Sequence, residues 1–278
     1  MARVVFMGTP EFGVPVLEAL TRQHEVAMVV TQPDRAAGRG RQQMAASPVK
    51  QAALALGLPI LQPASLRRDA AAVEALRRAE AEVFVIAAFG QILRPNVLAI
   101  PPRGCIGVHA SLLPKYRGAA PIAAAILNGE AETGVTLMLT DAGMDTGAII
   151  AQRALAIAPD DTTATLSARL AQMGADLLIE TLPAWLAGNI APRPQDDALA
   201  TAAPPIDKAQ GHIDWRRSAA EIDRMIRAYT PWPGAFCLCE GKSLKVLRAR
   251  PWLDWQGDAQ PGAVLQTERG LGVATGEG

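Results

Sequence analysis

Residues 104–122 read Gly104-Cys105-Ile106-Gly107-Val108-His109-Ala110-Ser111-Leu112-Leu113-Pro114-Lys115-Tyr116-Arg117-Gly118-Ala119-Ala120-Pro121-Ile122. Residues 105–109 are a short apolar run of the kind that makes a buried strand, and the run ends on His109. An apolar turn fixed by Pro114 follows, then a loop carrying Lys115, Arg117 and Gly118. Polar and shape-setting groups converge at one strand end, which is not the composition of a core filler. Outward from this segment, β-rich runs recur at residues 4–7, 26–30, 59–62, 83–88 and 135–140, with helical patterns between them. That alternation predicts βαβ units and an α/β fold: a doubly wound, mainly parallel sheet with helices on both faces. Ligands bind such sheets beyond the carboxyl ends of the strands. His109 ends one predicted strand and Asp141 follows another, so both stand where a site is expected.

The chain has 278 residues, half of them hydrophobic, enough for a sizeable core and, by length, two domains. No run of eighteen or more apolar residues occurs, and residues 1–8 read as a buried strand rather than a signal peptide, so a cytoplasmic protein is expected. The three cysteines are too few for a disulfide framework, and Cys237-x-Cys239 lacks a second ligand pair, so buried or strand thiols are expected and no metal. Lysine plus arginine equals aspartate plus glutamate at 27 each, and the overall field calls for no nucleic acid. Locally the balance differs. Residues 31–50 carry Arg35, Arg39, Arg41 and Lys50 against Asp34, and residues 206–250 carry nine basic groups against five acidic ones.

The turn Gly8-Thr9-Pro10-Glu11-Phe12-Gly13 lacks the G-x-G-x-x-G spacing of a dinucleotide site; a plain strand-to-helix turn and a substrate-lining turn both stay open. A long helix is predicted over residues 162–186, with Leu166, Leu170, Met173, Leu177 and Leu178 as a core stripe. Residues 190–210 are rich in proline and alanine and read as a surface linker, which sets domains at 1–189 and 211–278. In the second, Ser218-x-x-Glu221 forms a capping box, and short β-like runs at 235–239, 243–248, 263–266 and 272–274 suggest a small barrel or open sheet. No further strand covers the edge after residue 274, so this domain is expected to be truncated.

The 104–122 segment resembles the signature of the folate-dependent formyltransferases, and its part from Ser111 to Ile122 is similar to the methionyl-tRNA formyltransferases in particular. Matching stretches recur in order: Gly8-Thr9-Pro10-Glu11-Phe12, Thr31-Gln32-Pro33-Asp34-Arg35, Ala37-Gly38-Arg39-Gly40, Ser47-Pro48-Val49-Lys50, Ala88-Phe89-Gly90-Gln91-Ile92-Leu93, Glu132-Thr133-Gly134-Val135-Thr136, Asp145-Thr146-Gly147, Ile213-Asp214-Trp215 and Pro231-Trp232-Pro233. The resemblance implies a Rossmann-like formyltransferase domain followed by a barrel-like (OB-type) domain. It also implies transfer of a formyl group from 10-formyltetrahydrofolate, as co-substrate, to the α-amine of initiator methionyl-tRNA in translation initiation, by a monomer. Attack of an amine on a formyl carbon develops negative charge on oxygen and positive charge on nitrogen, and so requires a donor and a proton route. His109 can serve either need, because imidazole's reference pKa of about 6.5 lies near working pH. By resemblance Asp145 is the catalytic carboxylate, while Asp141 is expected to brace the turn. The folate would lie against Phe89, Gly90 and Ile92 and the turn Ser111, Leu112, Leu113 and Pro114, mostly through backbone groups. The loop over residues 34–47 reads by itself as a solvated insertion. The resemblance makes it the entry for the acceptor arm, with Arg39 the main contact beside Arg35 and Arg41.

One departure bears on competence. The family places asparagine two residues before the histidine, and this chain has Gly107, which offers no side-chain donor to an oxyanion. Loss of one such donor typically costs about 10²–10³ in turnover, so a weakened enzyme is expected. Two alternatives follow: a formyl-folate or tRNA binding protein without useful turnover, and a folate-dependent formyltransferase acting on another amine. The Arg35–Arg41 loop and Pro231-Trp232-Pro233 argue against the second.

Overall fold

The computed structural model describes residues 1–37 and 43–278. They sort into two compact units, one of residues 1–118, 134–155 and 167–202, the other of residues 119–133, 156–166 and 203–278. In chain order the elements are β1 (Arg3–Gly8), α1 (Val14–Gln23), β2 (Glu25–Val30), β3 (Arg35–Ala37), β4 (Gln43–Ala45), α2 (Pro48–Ala55), β5 (Ile60–Leu61), α3 (Ala70–Arg78), β6 (Val83–Ala87), α4 (Pro95–Leu98), β7 (Cys105–His109), β8 (Arg117–Gly118) and α5 (Pro121–Leu127). They continue with β9 (Glu132–Leu139), β10 (Ile149–Ala156), α6 (Thr163–Leu186), β11 (Ala202–Ala203), α7 (Ala219–Ala228), β12 (Ala235–Cys239), β13 (Lys242–Val246), β14 (Val264–Thr267) and β15 (Gly270–Val273).

Seven strands form the main sheet in the order β10-β9-β7-β6-β1-β2-β5. The pairs β5–β2, β2–β1, β1–β6 and β6–β7 are parallel, and β9 runs antiparallel to β7. Central β1 is buried on both faces, with Val4, Val5, Phe6 and Met7 fully inaccessible, which is why its sequence is a continuous apolar run rather than an alternation. Val5 and Met7 pack in one cluster with Leu76 and Val97 from α3 and α4. From β1 the order runs outward through β2 on one side and β6 on the other, so the crevice at their carboxyl ends is the switch point at which such sheets bind ligands. On the other side of β7, a Cβ on Gly174 of α6 would lie 2.9 Å from Val108 Cγ1, so only glycine permits this approach. Because strand side chains alternate, Val108 faces α6 and its neighbours Gly107 and His109 face the opposite side of the sheet.

Two stretches differ from expectation. Residues 190–202 do not run free over the surface. Arg193 exchanges two main-chain hydrogen bonds with Ile149 of β10 (2.8 and 2.7 Å), and the Thr201 carbonyl accepts from Arg117 N at 2.8 Å. A proline-rich stretch without periodicity looks like a linker, yet its remaining amides and carbonyls need partners, and the edge of β10 and the 114–118 turn supply them. The flanks of the 34–47 insertion also pair, as an antiparallel β3–β4 ladder with Arg35 opposite Ala45. Arg39 and Arg41, expected to contact the acceptor arm, lie outside the described residues.

In the second unit α7 is capped as its sequence predicts: Ser218 Oγ accepts from Glu221 N and Glu221 Oε2 from Ser218 N. Ile222, Met225 and Ile226 form its buried face. The small C-terminal domain is built from antiparallel strands, as the ladders β12–β13 and β14–β15.

Candidate active site

His109 is the last residue of β7 and only 8% exposed. Its Nε2 lies 2.9 Å from the Tyr116 carbonyl. A carbonyl can only accept, so Nε2 carries a proton and donates. That leaves Nδ1, which faces Asp145 Oδ2 at 3.7 Å. The separation is within ion-pair range but longer than a direct hydrogen bond; catalytic contacts in ligand-free sites are commonly long in this way. Asp145 Oδ2 also accepts from Gly118 N at 2.8 Å. Asp141, in contrast, accepts from Gly143 N at 3.0 Å and from Thr146 Oγ1 at 2.8 and 2.9 Å, bracing the turn as expected.

The turn after His109 is held by a threonine. Thr136 is opposite His109 in the β7–β9 ladder and fully buried. Its hydroxyl donates to Ser111 O at 2.6 Å and accepts from Leu113 N at 3.0 Å and Gln152 Nε2 at 2.9 Å. Gln152 Nε2 also donates to Leu113 O at 2.8 Å, and Ser111 Oγ donates to Lys115 O at 2.6 Å. The carbonyl and hydroxyl of Ser111 and both main-chain polar groups of Leu113 are therefore spent within the protein, and both residues are buried; Leu112 and Pro114 are half-buried.

At the switch point, Thr9 Oγ1 donates to Phe89 O at 3.0 Å and accepts from Gln32 N at 3.3 Å, tying the ends of β1, β2 and β6. Phe89 itself is 2% exposed and belongs to the core, while Gly90 and Ile92 are exposed. Ala88 and Gly90 both have positive φ, 53° and 82°. Of the five described non-glycine residues with positive φ, Ala88, Tyr116 and Asp145 border this region. Left-handed backbone costs about 1 kcal/mol or more per residue and persists only where surroundings enforce it, a pattern that gathers at functional sites.

Gly107 sits two residues before His109, opposite Met138 in the ladder. A Cβ at this position would lie 3.0 Å from Met138 Cε and 3.1 Å from Thr140 Oγ1. That Thr140 hydroxyl is buried and has no hydrogen-bond partner. A side chain at 107 would crowd both the flexible end of Met138 and the Thr140 hydroxyl, which would have to give by a few tenths of an ångström.

Comparison with known proteins bears on what such a site serves. The Formyl transferase family model matches residues 2–182, and the Formyl transferase, C-terminal domain model matches residues 205–278. A methionyl-tRNA formyltransferase of Roseiflexus castenholzii is 52% identical over 278 residues, covering 99% of this chain and 88% of the relative; one of Solibacter usitatus is 53% identical over 277 residues. The chain belongs to the methionyl-tRNA formyltransferase family. Among solved structures, an N-formyltransferase of Helicobacter canadensis, described in complex with folinic acid and dTDP-3-aminofucose, superposes with a TM-score of 0.74 over the whole chain at 21% identity. HypX of Aquifex aeolicus gives 0.70 at 19% identity. At those identities the likeness is one of fold.

Within this formyltransferase fold, the residues singled out in the sequence divide into groups. His109, Asp145 and Gly107 share one face at the end of β7, and Leu112, Pro114, Gly90 and Ile92 are accessible to a ligand. Ser111, Leu113 and Phe89, expected to contact the folate, are buried instead. Arg35 is exposed on β3. Thr136 entered the sequence analysis only inside a matching stretch, and Thr140 and Gln152 were not singled out, because threonine in a β-rich run reads as a strand former and a lone glutamine carries no signal of chemistry. No helix among the described residues is long and apolar enough to cross a membrane.

Proposed function

We propose that this protein transfers the formyl group of 10-formyltetrahydrofolate to the α-amine of initiator methionyl-tRNA, acting as a cytoplasmic monomer. The observation that carries the reading is the 3.7 Å approach of His109 Nδ1 to Asp145 Oδ2 at the carboxyl end of β7. Its context supports it: a chain 52% identical over 99% of its length to a methionyl-tRNA formyltransferase.

In this reading His109 takes up the proton that the amine loses as its bond to the formyl carbon forms, and Asp145 balances the imidazolium. The same proton is then available to the departing N10 of the folate, whose bond to the formyl carbon breaks. The fixed tautomer matters here, because the Tyr116 carbonyl keeps the Nε2 proton in place and leaves Nδ1 for exchange. The folate fits the residues present: the backbone of Ala88–Gly90 offers hydrogen-bonding edges to a flat heterocycle, and Leu112, Pro114 and Ile92 offer apolar cover. Arg35, Arg39 and Arg41 would contact acceptor-arm phosphates. Replacing any one by alanine should weaken tRNA binding and flatten its salt dependence, by roughly 0.9 in log–log slope for each phosphate no longer neutralised.

Gly107 leaves the developing oxyanion without a side-chain amide from this strand. Single-turnover formyl transfer to initiator methionyl-tRNA, compared between this chain and Gly107→Asn, tests the consequence. The asparagine variant should be faster by about 10²–10³, the usual worth of one oxyanion donor. Equal rates would remove the impairment reading. A second reading, favoured by Gly107, is a binding protein: both ligands bound by this chain with no product would select it.

A further inference from the structure

Gln195 lies in the stretch that reads as linker, yet every polar valence of its side chain is used. Its Nε2 donates to Asp145 O at 2.8 Å and to Gly147 O at 2.7 Å, both in the turn that carries the site carboxylate. Its Oε1 accepts from Arg117 Nε at 3.0 Å and Arg117 Nη2 at 2.8 Å. Two donors and two acceptor sites are the whole capacity of a primary amide. Arg117 is held in turn by Asp197 Oδ1 at 2.7 Å, and the next residue, Gly118, donates its N–H to Asp145 Oδ2. Asp145 is thus gripped twice, at its main chain by Gln195 and at its carboxylate by Gly118, and the two grips are joined through Arg117.

The grip has something to oppose. Asp145 has φ of 56°, a left-handed conformation that aspartate tolerates better than most L residues but that still lies above the ordinary backbone minima. Release of the two carbonyls would let the turn relax, and a carboxylate moved by about 1 Å is enough to cost on the order of 10² in rate. We infer that Gln195 is a positioning residue for formyl transfer, setting the Asp145 carboxylate against His109. This rests on the reading that Asp145 and His109 act together.

The test is a mutant cycle on the full chain, with single-turnover kcat and KM measured for Gln195→Ala, Gln195→Glu, Asp145→Asn and the double variant Gln195→Ala/Asp145→Asn, and the folded fraction fixed by circular dichroism. Gln195→Ala should lower kcat about 10–100-fold with little change in KM. Gln195→Glu, which keeps the acceptor for Arg117 and loses both donors, should fall equally. In the Asp145→Asn background the loss from Gln195→Ala should shrink to about threefold or less, since both changes disable one unit. Full additivity, or wild-type kcat in Gln195→Glu, would overturn the proposal. Wild-type kcat in Asp145→Asn would instead overturn the reading of the site. A readout free of turnover is amide exchange at Gly118, which should quicken about tenfold in Gln195→Ala as its acceptor drifts; unchanged exchange also overturns the proposal.

Discussion

The hydroxyl of Thr136 makes three hydrogen bonds while being fully buried, so its loss is felt in two ways. Thr136→Val keeps the shape and removes the partner of Leu113 N–H, leaving a buried donor unmatched at a cost of about 1–3 kcal/mol. Urea unfolding should register that loss. Under the folate reading, KM for the formyl donor should rise as well, because residues 111–114 lose their brace; an unchanged KM would place the donor elsewhere. His109 was legible without the structure because a histidine that closes an apolar strand and opens a cationic loop is out of character for a core. Thr136 was not, since its partners Ser111, Leu113 and Gln152 come together only through strand pairing. Gly107 was legible as an absence, but only the fold shows that the unpartnered hydroxyl of Thr140 lies beside it.

Among the elements, α7 follows from local sequence alone. Its capping box is present in the structure as spelled in Ser218-x-x-Glu221, and Ser218→Ala should cost about 1 kcal/mol in thermal or denaturant unfolding. The base of the β3–β4 hairpin was less readable. Lys50 Nζ donates to Asp34 at 2.7 and 2.9 Å, and Gln62 Nε2 to the same carboxylate at 2.9 Å. These bonds, that from Lys50 foremost, hold the Asp34 carboxyl below its ordinary value. A carboxylate whose folded pKa lies below its unfolded one adds stability above the unfolded value of about 3.9, and this is lost as pH falls through the folded one. Stability followed from pH 6 downward should therefore show an acid-side decline that is shallower in Lys50→Met. The sequence offers Asp34, Lys50 and Gln62 at separations that no local rule connects; the parallel pairing of β2 with β5 sets Gln62 beside Asp34, and α2 carries Lys50 to the same carboxylate.

For the molecule as a whole, the thiols give a test of how far burial controls reactivity. Cys105 is 1% exposed, and desolvation pushes its thiol up to about 12, so it carries almost no thiolate near neutral pH. Cys239 is exposed and Cys237 buried, both on β12. A disulfide reagent at pH 8 should modify Cys239 promptly in the native protein and reach Cys105 only on unfolding; rapid native labelling of Cys105 would contradict the fold around β7. The alternation of apolar runs with helical patterns by itself determined the α/β architecture, because burial on both sheet faces demands continuous hydrophobic strands; the end of the apolar run 105–109 determined the place of His109, and the resemblance of residues 104–122 to a known signature pointed to the family. The tertiary structure alone decided which groups serve that place. Hydrogen bonds such as those of Gln195 to residues 145 and 147, or of Thr136 to residues 111 and 113, join positions dozens of residues apart, and a one-dimensional pattern holds no record of which amide meets which carbonyl.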